Sequence, residues 1–211
     1  MFYKVENIPD EQTMQAVVAE LLPLVPFVRR DKALRYKHLH GQYCCLRTWQ
    51  MLHALLVEHA FIPADFPLAE LTYTEDEYGK PSLDSHFSTL NVQRSTIHFS
   101  LSHTKTALAV AIDRQPVGID VETIVSAARL DRTFLDHTMS ADEQTRITQS
   151  VHPCLTFTEL WTRKEALVKA IGTGVNLSTL PNLLQFVHPY SFITTHTDTY
   201  ACSVAVLQSG V

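Results

Sequence analysis

Two acidic side chains lie one residue apart in the segment PVGIDVE, residues 116–122. Valine and isoleucine alternate there with Gly118, Asp120 and Glu122, which is the period of a half-buried β-strand. Both carboxylates then project from one face and repel each other unless a cation lies nearby. Hard oxygen ligands without histidine or cysteine favour Mg²⁺. A metal site and a solvated strand edge are both compatible with this pattern.

A second group of charges lies in FTELWTRKEALVKAIGTG, residues 157–174. Its apolar spacing predicts an amphipathic helix with Glu165 at the edge of the apolar arc and Lys169 one turn further on. Glu165 could supply a third carboxylate to a metal, or form an exposed pair with Lys169 that stabilises the helix by about 0.3 kcal/mol. Lys164 falls inside the apolar arc, so it must reach water or meet an anion.

The segment IHFSLSHT, residues 97–104, predicts a strand on which Ser102 and His103 face opposite ways. They therefore cannot form a nucleophile–base pair. His103 is either a hydrogen-bonded core histidine or a functional group. The basic run RRDKALRYK, residues 29–37, contains Arg29 and Lys32. It is either a solvated face or a binding surface for a phosphate-rich ligand.

Composition restricts the class of protein. The 211 residues carry a net charge of −5, with 45% hydrophobic and 18% charged residues. This predicts one large globular domain or two small ones, without general nucleic-acid or membrane binding. The four cysteines lack CxxC spacing and the first residues do not form a signal peptide, so we expect a soluble, cytoplasmic protein. The six glycines form no phosphate-binding motif such as GxGxxG.

The elements that must position these groups can be assigned coarsely. We expect strands at FYKVENI, at residues 69–74, at IHFSLSH, TALAVAID and PVGIDVE, and at YACSVAVL near the end. We expect helices over 12–25, 42–60 and 156–171, and a turn at 79–81. TALAVAID is apolar on both faces, which is typical of a central strand. Each half thus has strands and one long helix, which suggests two similar α+β lobes that meet near residue 114.

Four segments, taken together, resemble one family. EYGKP (77–81), FSLSHT (99–104), GIDVE (118–122) and LWTRKEALVKAIGTG (160–174) are similar in order and spacing to 4′-phosphopantetheinyl transferases of the surfactin-synthetase-activating type. The resemblance is specific from Tyr78 to Gly174 and extends to YACSVAV. It implies an α+β fold of two similar lobes related by a pseudo-twofold, 1–114 and 115–211. Each lobe would be a small antiparallel sheet with a long helix, with the active site between them in a monomer.

The resemblance also implies an activity. These enzymes transfer the 4′-phosphopantetheine arm of coenzyme A to a serine hydroxyl of an apo acyl or peptidyl carrier protein and release 3′,5′-ADP, in fatty-acid, polyketide or nonribosomal peptide biosynthesis. By resemblance, Asp120, Glu122 and Glu165 would hold Mg²⁺. Glu165 would act as general base, directly or through water, and Lys169 would neutralise phosphate charge as a catalytic group.

Coenzyme A contacts follow from the same resemblance. They are expected at Lys80, Pro81, Ser102, His103 and Lys169. The family usually places a phosphate-binding arginine early in its first long helix, where GQYCCLRTWQ (41–50) has Cys44 or Cys45. Arg47, one turn along, is the expected substitute, together with Arg29 and Lys32. A Mg²⁺-dependent phosphohydrolase or nuclease and a catalytically silent carrier-binding module are the alternative functions.

Overall fold

The computed structural model describes residues 1–77, 79–84, 96–174, 176 and 178–208, without the side chain of Phe186. Tyr78 of the EYGKP segment lies outside the described residues. The strands are β1 (Phe2–Asn7), β2 (Tyr73–Glu75), β3 (Pro81–Leu83), β4 (His98–His103), β5 (Ala107–Asp113), β6 (Val117–Thr123), β7 (Tyr190–His196) and β8 (Tyr200–Leu207). The α-helices are α1 (Glu11–Leu21), α2 (Phe27–Leu34), α3 (Leu39–Glu58), α4 (Arg132–Thr138), α5 (Ala141–Gln149) and α6 (Pro153–Ile171). Short 3₁₀ helices span Leu68–Glu70, Ala127–Arg129 and Leu180–Phe186.

The two main sheets are built alike. The N-terminal sheet has the antiparallel order β1-β5-β4, and the C-terminal sheet has the antiparallel order β6-β8-β7. In both, the last strand in sequence lies in the centre, and the long helix, α3 or α6, comes between the first strand and the other two. This confirms the predicted α+β class with two similar lobes. The boundary between residues 114 and 115 stays a prediction.

Strand β5 is central, as its two apolar faces predicted. Leu108, Val110 and Ile112 face the core that α3 covers, whereas its alanines face the C-terminal sheet. Small alanine side chains allow the two sheets to pack closely against the valines and isoleucine of β6. The lobes therefore share one continuous apolar contact.

Two hydroxyls of β4 and one of the residue that follows it join this strand to the free edge of β6. Ser100 Oγ accepts from Ile119 N at 3.0 Å, Ser102 Oγ accepts from Val121 N at 3.3 Å, and Thr104 Oγ1 accepts from Thr123 N at 3.3 Å. We call Ser100, Ser102 and Thr104 the hydroxyl ladder. It satisfies edge amides that would otherwise be buried without partners.

Some predicted elements end elsewhere. The strand expected at 69–74 begins only at Tyr73, because a 3₁₀ turn at Leu68–Glu70 takes up its first part. The helix expected over 12–25 ends at Leu21, close to Pro23, which cannot continue a helical hydrogen-bond ladder. Helix α6 begins with proline at its first turn and ends at Gly172, which has a positive φ of 85°. Among the described residues, no helix is both long and apolar enough to cross a bilayer.

Candidate active site

Gly118 allows helix α6 to lie directly on strand β6. A methyl group added at Gly118 would be 2.0 Å from the carbonyl oxygen of Ala166 and 2.5 Å from the amide nitrogen of Ala170. No side chain fits between backbone atoms at that distance. The same face of β6 carries Asp120 and Glu122 toward α6, so Gly118 sets the spacing between both acids and the helix. From the sequence, Gly118 was named only as part of the motif GIDVE, and no role was predicted for it. A glycine inside a strand is nevertheless a signal that another backbone packs closely against the strand.

Gly118→Ala should therefore displace α6. Because the clash is with helix backbone and no side chain can move aside, we expect a loss of about 1–3 kcal/mol in the free energy of unfolding. Activity should fall as well, since Glu165 and Lys169 move with the helix. Urea unfolding of both proteins measures the first effect. An unfolding midpoint equal to that of the wild type would contradict this account of Gly118.

Asp120 lies at the centre of the contact between β6 and α6. It is only 4% exposed, so the solvated strand edge is wrong for this residue. Its Oδ1 accepts from Lys169 Nζ at 2.7 Å and from Ser102 Oγ at 2.9 Å. Its Oδ2 is buried and has no hydrogen-bond partner among the described residues. Lys169 thus pairs with Asp120 across the strand, and the exposed helix-surface pair with Glu165 is wrong.

The other two acids are destabilised as anions. Burial raises the pKa of Glu122 to about 7, and the negative charges of Asp120 and Glu165 add to this while Lys169 and Arg129 oppose it. Burial, followed by the charge of Asp120, also raises the pKa of Glu165. Carboxylates that raise one another's pKa lie in a region with too little positive charge, which is a favourable environment for a cation.

The carboxylates fit a hard cation in chemistry but are not preassembled around one. No group of three His, Cys, Asp or Glu side chains in the described part of the chain is arranged to hold a metal ion. Among these carboxylate oxygens, Oδ2 of Asp120 is best suited to bind a cation. It is buried and accepts no hydrogen bond from the described residues, and buried polar atoms normally have a partner. Mg²⁺ commonly takes one or two carboxylates and keeps several waters, so Asp120 and one neighbouring acid would suffice.

We call Asp120, Glu122 and Glu165 the acidic cluster. A cavity of about 320 Å³ reaches this cluster at Lys169, which lines the cavity and pairs with Asp120, whereas none of the three acids is in its described wall. Its wall brings together six of the residues singled out in the sequence, which come from both lobes: Arg29, Lys32, Lys80, Pro81, His103 and Lys169. Cys44 and Cys45 also line it. Five of the six are cationic or can become so, which makes the cavity suited to an anionic ligand.

Arg29 is held rigidly in the cavity wall. Its Nε and Nη2 donate to the Cys45 carbonyl at 3.0 and 2.7 Å, and Nη2 also donates to Thr48 Oγ1 at 3.1 Å. The guanidinium lies 4.9 Å from the ring centre of Trp49 and 5.9 Å from that of Tyr73. These aromatic partners were not predicted from the sequence. Arg29 thereby brings a positive charge from α2 to the part of α3 that holds the two cysteines.

Two lysines in the wall have different partners. Lys32 Nζ pairs with Glu75 at 2.7 Å. Partial burial opposes the charge on Lys32, but Glu75 outweighs it, and the pKa of Lys32 is raised. Lys80 Nζ donates to the Ala170 carbonyl at 2.8 Å, at the end of α6, and burial lowers its pKa. Lys80 thus joins the β2–β3 hairpin to the helix that carries Glu165.

His103 is on the cavity side of β4, opposite Ser102, as strand alternation predicted. It remains exposed, so the core-histidine interpretation is wrong. Partial desolvation lowers the pKa of His103, and the positive charges of His40, Lys169 and Arg29 lower it further. The rings of His40 and His103 are 6.5 Å apart. His103 thus contributes an imidazole with a lowered pKa to the cavity wall.

Two predicted coenzyme A contacts are not brought to the cavity. Arg47 donates to the carboxylate of Glu6 from Nε at 2.9 Å and from Nη2 at 3.0 Å, and it is absent from the described cavity wall. Because β1 holds its guanidinium, Arg47 is a poor substitute for the family's arginine. Ser102 is 6% exposed and faces β6, so its side chain is likewise outside the described wall.

Comparison with known proteins agrees with this geometry. Residues 116–206, which contain β6, α6, β7 and all of β8 but its last residue, match the family model of the 4′-phosphopantetheinyl transferase superfamily. The chain is 27% identical over 177 residues to a 4′-phosphopantetheinyl transferase of Aneurinibacillus migulanus and 29% identical over 170 residues to one of Bacillus pumilus. The resemblance noted in the sequence is therefore confirmed.

The similarity covers most of this chain but less of its relatives. The two bacterial alignments cover 83% and 79% of the chain and 66% of each relative. An L-aminoadipate-semialdehyde dehydrogenase-phosphopantetheinyl transferase of Saccharomyces cerevisiae is 25% identical over 80% of the chain and 59% of its own length. The chain thus spans slightly less than two thirds of the length of these curated proteins.

Proposed function

We propose that the chain transfers 4′-phosphopantetheine from coenzyme A to a serine of an apo acyl or peptidyl carrier protein, with Mg²⁺, and releases 3′,5′-ADP. One observation carries this proposal. Asp120, with a free carboxylate oxygen and paired to Lys169, lies beside two further acids and a cavity with a cationic wall. The match of residues 116–206 to the family model of the 4′-phosphopantetheinyl transferase superfamily supports it.

The reaction needs a base and a place for the developing charge. The serine oxygen attacks the pantetheine-side phosphorus, a new O–P bond forms, and the bond from that phosphorus to the bridging oxygen breaks. The serine proton passes to Glu165, directly or through water. Burial raises the pKa of Glu165, and a base with a pKa nearer neutrality is more effective at physiological pH.

Asp120 would hold the metal through Oδ2, with Glu122 and Glu165 as further ligands. When bound, Mg²⁺ would neutralise charge on the pyrophosphate oxygens and on the departing 3′,5′-ADP. Lys169, which lines the cavity next to Asp120, would add positive charge on the same side. Asp120 and Glu122 would thus serve the metal, Glu165 would serve both the metal and the proton, and Lys169 would add positive charge at the cavity wall.

The cationic wall would bind the nucleotide end of coenzyme A. Arg29, Lys32, Lys80 and His103 are its candidate phosphate contacts, with Pro81 in the neighbouring wall. Arg47 is not among these candidate contacts, because its guanidinium is bound to Glu6. The four cysteines are free, which fits a reducing compartment, and we propose a cytoplasmic monomer of two lobes divided at residues 114/115.

A single assay separates this function from its alternatives. The chain is incubated with coenzyme A, Mg²⁺ and an apo carrier domain, and the mass of the carrier is followed. A gain equal to the phosphopantetheine arm means transfer. Phosphate release without that gain means a phosphohydrolase, and binding without either means a silent carrier-binding module.

His103→Ala should weaken coenzyme A binding more than it slows turnover. The proposed contact is to the 3′-phosphate, which is remote from the reacting phosphorus. Its loss should therefore weaken the binding of the substrate and of the transition state equally, which raises KM and leaves kcat unchanged. Losing one hydrogen bond to a charged group predicts a rise in KM of roughly 10- to 100-fold. Steady-state kinetics with varied coenzyme A measure it.

Coenzyme A without its 3′-phosphate is the matched control for His103. The substitution should leave the KM for this analogue nearly unchanged, since the lost contact has no partner there. Because the pKa of His103 is lowered, protonation strengthens the wild-type contact only as the pH falls through that pKa. A large loss in kcat at unchanged KM would instead place His103 at the chemistry.

A further inference from the structure

The hydroxyl of Ser102 joins three parts of the site. Its Oγ accepts from the Val121 amide at 3.3 Å and from Lys169 Nζ at 3.0 Å, and it donates to Asp120 Oδ1 at 2.9 Å. A serine hydroxyl has one donor and two acceptor positions. All three are used, and they connect β4, β6 and α6 at one atom.

Its neighbours in the hydroxyl ladder make simpler contacts. Ser100 accepts from Ile119 N. Thr104 accepts from Thr123 N and shares a hydrogen bond with the Thr123 hydroxyl at 2.8 Å. Among the described contacts, neither reaches Asp120 or Lys169. Ser102 is thus the ladder member that contacts the acidic cluster, and the others provide controls for its structural role.

Lys169 and Asp120 are fixed through this atom. The ammonium of Lys169 donates to Asp120 Oδ1 at 2.7 Å, to Ser102 Oγ and to the Ile119 carbonyl at 3.2 Å, which matches its three donors. Asp120 receives two donors at Oδ1 and none at Oδ2. Rotation of the carboxylate would break both bonds, so Oδ2 keeps one direction.

We propose that Ser102 is a positioning residue, which holds Asp120 and Lys169 so that Oδ2 of Asp120 stays free for a divalent cation. Its side chain is buried and is not part of the described cavity wall, which its neighbour His103 lines. Ser102 therefore acts on the reaction through Asp120 and Lys169, without binding coenzyme A. The kinetic consequence rests on the proposed transferase function, whereas the effect on metal binding does not.

The kinetic test compares Ser102→Ala with Thr104→Val, which also deletes one ladder hydroxyl. Each should lower the melting temperature by about 2–4 °C, because the hydrogen bonds of one partly or fully buried hydroxyl are lost. Ser102→Ala should lower kcat by roughly 10- to 100-fold at unchanged KM for coenzyme A, because contacts to charged groups are lost. Thr104→Val should keep wild-type kcat. Ser102→Thr keeps the hydroxyl and should therefore retain the wild-type kcat, since the hydroxyl ladder already contains a threonine at position 104.

A second readout needs no turnover. The Mg²⁺ concentration that gives half of the maximal rise in melting temperature should increase severalfold in Ser102→Ala and stay unchanged in Thr104→Val. Equal Mg²⁺ midpoints, or a raised KM with normal kcat, would overturn the positioning role. Wild-type protein that transfers nothing to the carrier would refute the proposed function, and the Mg²⁺ midpoints would still decide the role of Ser102.

Discussion

Replacing Asp120 by alanine should abolish transfer while leaving the chain folded. The substitution removes the buried carboxylate whose Oδ2 lacks a partner, and with it the proposed anchor of the metal. Loss of a metal that neutralises transition-state charge costs several kcal/mol, which corresponds to a fall in kcat of roughly 1,000-fold or more. Lys169, the former partner, is 31% exposed, so water can solvate its charge. Carrier mass after a fixed time and the melting temperature measure both effects.

Glu122→Ala and Glu165→Ala should lower activity to different extents. Glu165→Ala should be as severe as Asp120→Ala, because it removes both a ligand and the candidate base. Glu122→Ala should be milder, since water can replace one ligand of a hydrated Mg²⁺. Near-normal turnover of Asp120→Ala at limiting Mg²⁺ would show that this carboxylate holds no essential metal.

Replacing Lys164 by methionine should destabilise the protein strongly. Lys164 is fully buried, and its Nζ donates to Glu143 Oε2 at 2.7 Å and to the carbonyls of Thr138, Leu180 and Pro181 at 2.7, 2.9 and 2.9 Å. Methionine fills a similar volume but leaves the buried Glu143 carboxylate unpaired. Removing one partner of a buried pair costs about 3–5 kcal/mol, and urea unfolding measures it. Activity should fall too, because these contacts hold the helix that carries Glu165.

A double variant tests the physical reason. Adding Glu143→Gln to Lys164→Met removes the unpaired charge while keeping a side chain that can cap α5 with Ser140. We expect most of the lost stability to return.

Lys169→Met is the comparison within the same helix: because Lys169 is partly exposed, we expect a smaller loss of stability with a large loss of activity. Equal stability of Lys164→Met and the wild type would mean that this buried pair contributes nothing.

Periodicity in the sequence determined the elements that carry the site. Strict alternation in PVGIDVE places Asp120 and Glu122 on one face, and helical spacing places Lys164 in the buried arc. The structure confirms both. Of the two outcomes expected for Lys164, water or an anion, it shows the anion Glu143. Local patterns suffice here because side-chain direction follows from backbone geometry within one element.

Contacts between elements were decided only by the tertiary structure. An exposed pair of Lys169 with Glu165 was one of two alternatives, but Lys169 pairs with Asp120. Arg47 was expected at the ligand but binds Glu6. The partner of a long charged side chain depends on which surface another element presents within reach of its tip. Spacing along one helix cannot specify this. The approach of α6 to Gly118 brings β6 within reach of Lys169, and this packing between distant segments arises only on folding.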